Sequence, residues 1–423
     1  MVSRDLYLAQ LKDYMWDGQV KVITGIRRCG KSVLLFDLFF QYLLAEGVPE
    51  DHIIRFELDQ RKDAKYRNPI TLAETVSARL QGTKEQFYLF IDEVQFAYPV
   101  KDPDNPGYEI SIYDMLNELK GYPNLDVYVT GSNSKMLSSD IATQFRGRAS
   151  AVHVWPLSFA EYHQAVGGDR RDNFDHYLIY GGMPYLLNLK TEHQQQAYLA
   201  SLFQEVYIKD IVERNEIERQ DVLEDMLDFL GSSISSLTNP TNIANSLNSM
   251  RHANISSNTV SAYLGYMKES FLINEAKRYD IKGKSYFNYP NKYYFTDVGL
   301  RNARLRFRQI DPGHMMENLL YIELLRRGYA VDVGVVVDRR NGQNTQKEID
   351  FVVNSGNRRM YIQSAWQIPE SKKETAEEDS LRLTNDFFRK IIIRSDVPGI
   401  MTDQDGIIHC NIIDFLLRED IFS

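Results

Sequence analysis

Val20-Lys21-Val22-Ile23-Thr24-Gly25-Ile26-Arg27-Arg28-Cys29-Gly30-Lys31-Ser32 is the stretch whose reading decides the fold. Its first five residues are rich in β-branched side chains and read as a short buried strand. The next eight match G-x-x-x-x-G-K-[ST] at Gly25, Gly30, Lys31 and Ser32. Glycines let backbone N–H groups curl around phosphate oxygens where a side chain would collide. Lys31 brings a point charge to the β- and γ-phosphates, Ser32 offers a hydroxyl to Mg²⁺, and Arg28 and Cys29 complete the loop. Downstream, Val33, Leu34, Leu35, Leu38, Phe39, Tyr42 and Leu43 continue as a helix apolar over most of its surface, ending at Glu46-Gly47. Strand, glycine loop and helix in this order aim a helix N-terminus at an anion.

Three further strands extend the pattern. Phe87–Ile91 is an apolar run fit for a central parallel strand, and it ends in Asp92-Glu93. Carboxylates there sit at the sheet edge where open α/β folds bind ligands. Asp92 suits a water-mediated Mg²⁺ contact, and Glu93 suits the general base that polarises water. Ile53–Leu58 follows the first helix, and Leu125–Thr130 follows a helix carrying Met115, Leu116 and Leu119. The last strand runs into Gly131-Ser132-Asn133, polar groups placed to sense a γ-phosphate, or alternatively an ordinary turn. Arg146 and Arg148 are candidates for a transition-state cation, Arg148 the stronger of the two. A guanine-reading Asn-Lys-x-Asp is absent: Asn291-Lys292-Tyr293-Tyr294 lacks the Asp, so ATP is preferred over GTP.

GIRRCGKS, YLFIDEVQ, VYVTGSNSKMLS, FRGR and HVWPLSFAEY, continued by Tyr180–Pro184 and Lys209–Arg214, resemble the prokaryotic AAA+-type ATPases that carry a C-terminal restriction-endonuclease-like domain. The resemblance spans nearly the whole chain. It implies ATP and Mg²⁺ as cofactors and an α/β fold: an AAA+-like parallel sheet, a helical lid, a winged helix and a nuclease-like domain. The expected division is 1–165, 166–228, 229–305 and 306–423. Ile26 stands where the family often has proline.

The rest of the chain fits that plan. Leu199, Leu202, Phe203, Val206 and Tyr207 recur at helix spacing in the expected lid. Ile243, Ala244 and Leu247 suit a first helix, Arg251–Asn254 a turn, and Ser257 the cap of a second helix carrying Val260, Tyr263, Leu264 and Met267. Strand-like runs near Leu272–Tyr279 and Tyr293–Thr296, joined through Lys282-Gly283-Lys284, predict a wing. Residues 226–305 carry nine Lys/Arg against five Asp/Glu, whereas the whole chain is at −9. Two partners are therefore weighed, double-stranded DNA through residues 251–284 and a protein client. The second helix offers only Lys268 to phosphates, so Lys277, Arg278, Lys282 and Lys284 are the better candidates.

In the C-terminal part, Glu317 lies on an expected helix, and Glu348–Val353 and Met360–Ala365 read as strands. The nuclease-like pattern needs an Asp followed by Glu-x-Lys on the next strand. Asp350 matches the first position, but Gln363 and Ala365 depart from the other two. An amide is a weaker Mg²⁺ ligand than a carboxylate, and a methyl group activates no water. A scaffold or binding role is expected, and Lys347 is noted as a replacement cation. The readings thus rank as ATP hydrolase, nucleotide-gated binding module with negligible turnover, and ATP-dependent nuclease. Cys29 and Cys410, the two cysteines, show neither a disulfide framework nor metal-ligand spacing. No apolar run of membrane-spanning length and no signal-peptide pattern is visible, so no membrane partner and a cytoplasmic location are expected. An oligomer remains open.

Overall fold

The computed structural model describes residues 2–132, 149–251, 254–308, 310–339, 344–356, 358–367, 373–418 and 421. Two units divide it: Met1–Trp155 with Glu269–Phe271, and Pro156–Lys268 with Leu272–Ser423. Asn133, Arg146 and Arg148 lie outside the described residues.

The first unit runs α1 (Asp5–Asp13), β1 (Val20–Thr24), α2 (Val33–Phe39, π-helical, continued as α-helix over Phe40–Ala45), β2 (Ile53–Glu57), α3 (Pro69–Leu80), β3 (Phe87–Asp92), α4 (Ile112–Leu119), β4 (Leu125–Gly131) and β5 (Ala149–His153). These five strands form one sheet in the order β2-β3-β4-β1-β5, every pairing in it parallel. Both faces of such a sheet are covered, and β1, β3 and β4 are buried at every position rather than alternately. Leu72, Val76, Leu116 and Leu119 of α3 and α4 pack with Val22, Leu89, Val127 and Val129 of the strands. A buried ion pair interrupts this apolar interior. Lys21, fully buried in β1, reaches Asp126 of β4, which also accepts from the Tyr128 hydroxyl at 2.8 Å. Paired and hydrogen-bonded, that charge is tolerated where a lone one would not be.

In the second unit, helices come first: α5 (Phe159–Val166), α6 (Arg170–Tyr180), α7 (Glu192–Ser201, continued through Leu202–Ile208 and Lys209–Arg214), α8 (Gln220–Ser232), α9 (Pro240–Arg251) and α10 (Ser257–Glu269). The periodic residues face inward as their spacing predicts: Leu199, Leu202, Phe203 and Tyr207 are buried, as are Ile243, Ala244 and Leu247 of α9 and Val260, Leu264 and Met267 of α10.

Tyr180-Gly181-Gly182-Met183 has a steric reason for its glycines. Asp297 caps the short helix α11 (Val298–Arg304) and accepts from the Gly182 N–H at 2.7 Å. A Cβ on Gly181 would stand 2.2 Å from an Asp297 carboxylate oxygen, and one on Gly299 would stand 1.9 Å from the Tyr180 carbonyl oxygen.

The expected wing is built differently from its reading. β6 (Ile273–Ala276) pairs antiparallel with β9 (Lys292–Phe295). Between them, β7 (Arg278–Asp280) and β8 (Ser285–Tyr286) leave that pair and join a larger sheet, with β7 parallel to β10 (Ala330–Asp338). The single run through Tyr279 therefore breaks at Lys277, because its two halves serve different sheets. α12 (Pro312–Arg326), β10, β11 (Thr345–Ser355) and β12 (Arg358–Ala365) follow the expected helix–strand–strand–strand order. With β13 (Arg389–Arg394), β14 (Ile400–Thr402) and β15 (Ile408–Asn411) the sheet has eight strands, ordered β8-β7-β10-β11-β12-β13-β15-β14. It thus crosses the boundary expected at residue 305. Among the described residues, no helix is long and apolar enough to cross a membrane.

Candidate functional site

Parallel pairing brings the C-terminal ends of β1, β3 and β4 side by side, with Thr24 opposite Gly131 and Ile91 opposite Val129. The loop Gly25–Ser32 leaves β1 at that edge. Gly25, Arg28 and Gly30 all take positive φ, at 142°, 65° and 103°. Such a left-handed succession turns backbone N–H groups to one side and forms an anion-binding concavity. Gly25 has a second reason to lack a side chain, since a Cβ would meet the Val154 carbonyl oxygen at 2.1 Å. The same carbonyl accepts from the Cys29 thiol at 3.2 Å. Cys29 thus anchors the loop from below, and burial pushes its thiol above the ordinary range.

Lys31 is buried, and its ammonium donates to the loop's own carbonyls, Gly25 at 3.1 Å and Ile26 at 3.2 Å. Ser32 lies at the exposed mouth, next to Lys31 and close enough to Asp92 to draw its carboxyl pKa down. The Thr130 hydroxyl bonds the same carboxylate from β4 and accepts from the Glu93 N–H at 2.9 Å. Burial pushes the Asp92 carboxyl up, while Thr130 and Ser32 pull it down and the neighbouring Glu93 adds to the rise. Glu93 itself turns into the left-handed region, φ 51° and ψ 55°, as the chain leaves β3. Its carboxylate accepts from the Gln95 amide and from the Ser132 hydroxyl, the latter at 3.3 Å. On the far side of the loop Thr24 meets His153 Nδ1 at 3.2 Å. Burial and the Lys31 charge lower the His153 pKa to about 3, so the imidazole is neutral at physiological pH.

Lys31, Ser32, Asp92, Glu93 and Ser132 thus lie together at the ends of β1, β3 and β4. Sequence reasoning passed over Thr130 and Gln95. Both stood inside quoted motifs, YVTGS and DEVQ, and their signal was a hydroxyl and an amide at the two strand ends flanking the acidic pair. The donor set suits a hard cation: a hydroxyl and a carboxylate, oxygen ligands of the kind Mg²⁺ takes.

In the second unit, Glu317 of α12 and Asp350 of β11 converge. Gln363 of β12 lies beside Asp350, its amide oxygen accepting from the Asp350 N–H at 2.6 Å. Ala365 is buried and offers no charge. The cation at this cluster is Lys292 of β9, 2.9 Å from Glu317 and 3.4 Å from Asp350, and not Lys347. Sequence reasoning weighed Lys292 only for guanine recognition. The link between Lys292 and Asp350, 58 residues apart, is tertiary.

The fold and this site define a P-loop protein of the AAA+ type. In agreement, residues 17–163 match the family described as AAA domain, and residues 171–311 match a domain of unknown function, DUF8612. An uncharacterized protein of Haemophilus influenzae is 32% identical over 423 residues, 99% of each chain, and the chain belongs to the family of that protein. An uncharacterized protein of Methanocaldococcus jannaschii is 23% identical over 392 residues, 88% of this chain and 79% of that one. Among solved structures, the Aeropyrum pernix ORC1 protein in complex with DNA matches at 10% identity and a TM-score of 0.30, covering 72% of this chain and 92% of that one. A DNA polymerase III gamma subunit-related protein from Thermotoga maritima matches at 12% identity and a TM-score of 0.28, covering 62% and 99%. These scores are too low to equate the folds.

Proposed function

We propose that the chain binds ATP with Mg²⁺ in the loop Gly25–Ser32 and hydrolyses it with Glu93 as general base. The observation that carries this reading is the hydrogen-bonded set Asp92–Thr130–Glu93 at the ends of adjacent strands, beside the loop that holds Lys31 and Ser32. Lys31 would exchange two neutral carbonyls for phosphate oxygens, a gain in charge complementarity. Ser32 and Asp92 would hold Mg²⁺, which supplies neutralisation of charge on the phosphates. Glu93 takes the proton of the attacking water, Ser132 senses the γ-phosphate, and the sequence candidates Asn133 and Arg148 would orient water and steady the transition state. Lys31→Ala should lower phosphate release by about 100-fold or more. Release at the wild-type rate in that variant would refute the assignment.

One observation favours a second reading, a nucleotide-gated module with negligible turnover. Gln95 and Ser132 both hydrogen-bond the Glu93 carboxylate, taking up lone pairs that an attacking water would need. Gln95→Ala discriminates the two: a hydrolase limited by this contact speeds up, whereas a binding module shows no release in either form.

The hydrolysis is proposed to act on a DNA or protein partner at residues 251–284. Lys268 is occupied by Glu275 at 2.7 Å, whereas Lys282, Gly283 and Lys284 form an exposed tip between β7 and β8. That tip is the better phosphate contact. The nuclease-like cluster is proposed to be inactive, for the reasons of Gln363 and Ala365.

A further inference from the structure

The second unit holds an ion cluster that the nucleotide site does not use. Lys292 Nζ lies 2.7 Å from Glu348, 2.9 Å from Glu317 and 3.4 Å from Asp350. An ammonium has three donors and no acceptor, so three carboxylates satisfy it fully. The lysine side chain is 3% exposed, Glu317 12% and Asp350 14%, while Glu348 at 35% forms the rim. The other contacts fix the carboxylates rather than compete for the cation. Tyr294 donates its hydroxyl to Glu317 at 2.7 Å, and the Ser364 N–H donates to Asp350 at 2.9 Å.

Three carboxylates gathered around one nitrogen repel one another, by roughly 3 kcal/mol per pair at about 5 Å and an effective dielectric of 20, and a cation at the centre offsets that repulsion. That cation comes from β9, a strand of the small antiparallel pair with β6, and not from β11 or β12. Burial by itself would lower the lysine pKa, but Glu317, Asp350 and Glu348 outweigh it and hold Lys292 firmly charged.

We propose that Lys292 is the resident cation of this cluster: its ammonium takes the centre between Glu317, Glu348 and Asp350, keeps a divalent ion from drawing those carboxylates together, and latches β9 to α12 and β11. The cluster is a cation site already filled by the chain, and this assignment is independent of the nucleotide reading. Metal-dependent phosphodiester cleavage is excluded there for as long as the lysine stays in place. Vacating it would require moving β9.

The test is Mn²⁺ binding to the full chain without nucleotide, followed by electron paramagnetic resonance at pH 8, for wild type, Lys292→Ala and Lys292→Ala/Asp350→Asn. Lys292→Ala should gain one Mn²⁺ site, at least about tenfold tighter than anything in the wild type, and the double variant should lose it. Mn²⁺ should also raise the melting temperature of Lys292→Ala and leave that of the double variant unmoved. Should Lys292→Ala fail to fold, Lys292→Ala/Glu348→Gln sheds one of the three carboxylates and keeps two ligands, and it should still gain Mn²⁺. Asp350-dependent Mn²⁺ binding by the wild type overturns the proposal. So does a folded lysine variant that gains no site.

Discussion

Lys31 and Lys292 are each 3% exposed, yet their surroundings give them opposite behaviour. Lys31 rests on two neutral carbonyls, with Asp92 and Glu93 left to other partners. A phosphate can outbid those carbonyls, so the charge is held in readiness. Lys292 sits among three carboxylates, and no neutral ligand competes with them. Burial alone therefore says little about what a lysine does; the formal charge of its partners decides whether it is available or locked.

The strongest way to break this contrast is to remove each lysine. Lys292→Ala should destabilise the second unit by about 3–5 kcal/mol, the cost of leaving buried carboxylates without their cation, and urea unfolding checks it. Lys31→Ala should leave the unfolding midpoint nearly unchanged while phosphate release collapses. Equal losses of stability in both would erase the distinction.

Next in size is a pH effect in the second unit. Burial pushes the Glu317 carboxyl up to about 7, against the downward pull of Lys292, and the Asp297 carboxyl up to about 6 against three backbone hydrogen bonds. A carboxyl whose folded pKa is raised binds more protons folded than unfolded. Its contribution is fully present below the unfolded pKa and is lost as pH rises through the folded value. For Asp297 the loss between pH 4 and 7 is about 2 kcal/mol. Asp297→Asn should flatten the stability–pH curve of the second unit in that window, and an unchanged slope would contradict the burial account.

Much of the first unit could be read directly. Strand, loop and helix around Gly25–Ser32 are local in sequence, and the runs Phe87–Ile91 and Leu125–Thr130 announce a sheet covered on both faces. What could not be read was whatever depends on pairing across long separations. The Lys21–Asp126 bond inside an apolar strand is one such case, and the split of Leu272–Tyr279 between two sheets is another. Lys292 is the clearest. A lysine in NKYYF carries no mark of the acids it meets on α12 and β11, because only tertiary packing brings them together. The glycines of Tyr180–Pro184 were legible as a signature but not as a cause, which lies in Asp297 and Gly299. Gly299→Ala tests that cause and should cost about 2 kcal/mol in unfolding, the penalty of forcing a methyl against the Tyr180 carbonyl.

The smallest expected effect concerns the exposed lysines. Unlike the buried pair, Lys282 and Lys284 are exposed and offer their charge to phosphates at the surface. Replacing both with alanine should reduce the salt dependence of duplex binding by a log–log slope of about 2 and leave hydrolysis without DNA unchanged. An unaltered slope would remove DNA from that hairpin and favour a protein client.

On the proposed function Lys31, Ser32, Asp92 and Glu93 form one hydrolytic site, and Glu93→Gln separates its binding from its chemistry. Titration with fluorescent ATP and Mg²⁺ should give wild-type affinity, because the loop, Ser32 and Asp92 are untouched. Phosphate release by the same protein should fall by about 100-fold, the contribution of a positioned base. Undiminished release with binding intact would contradict the account.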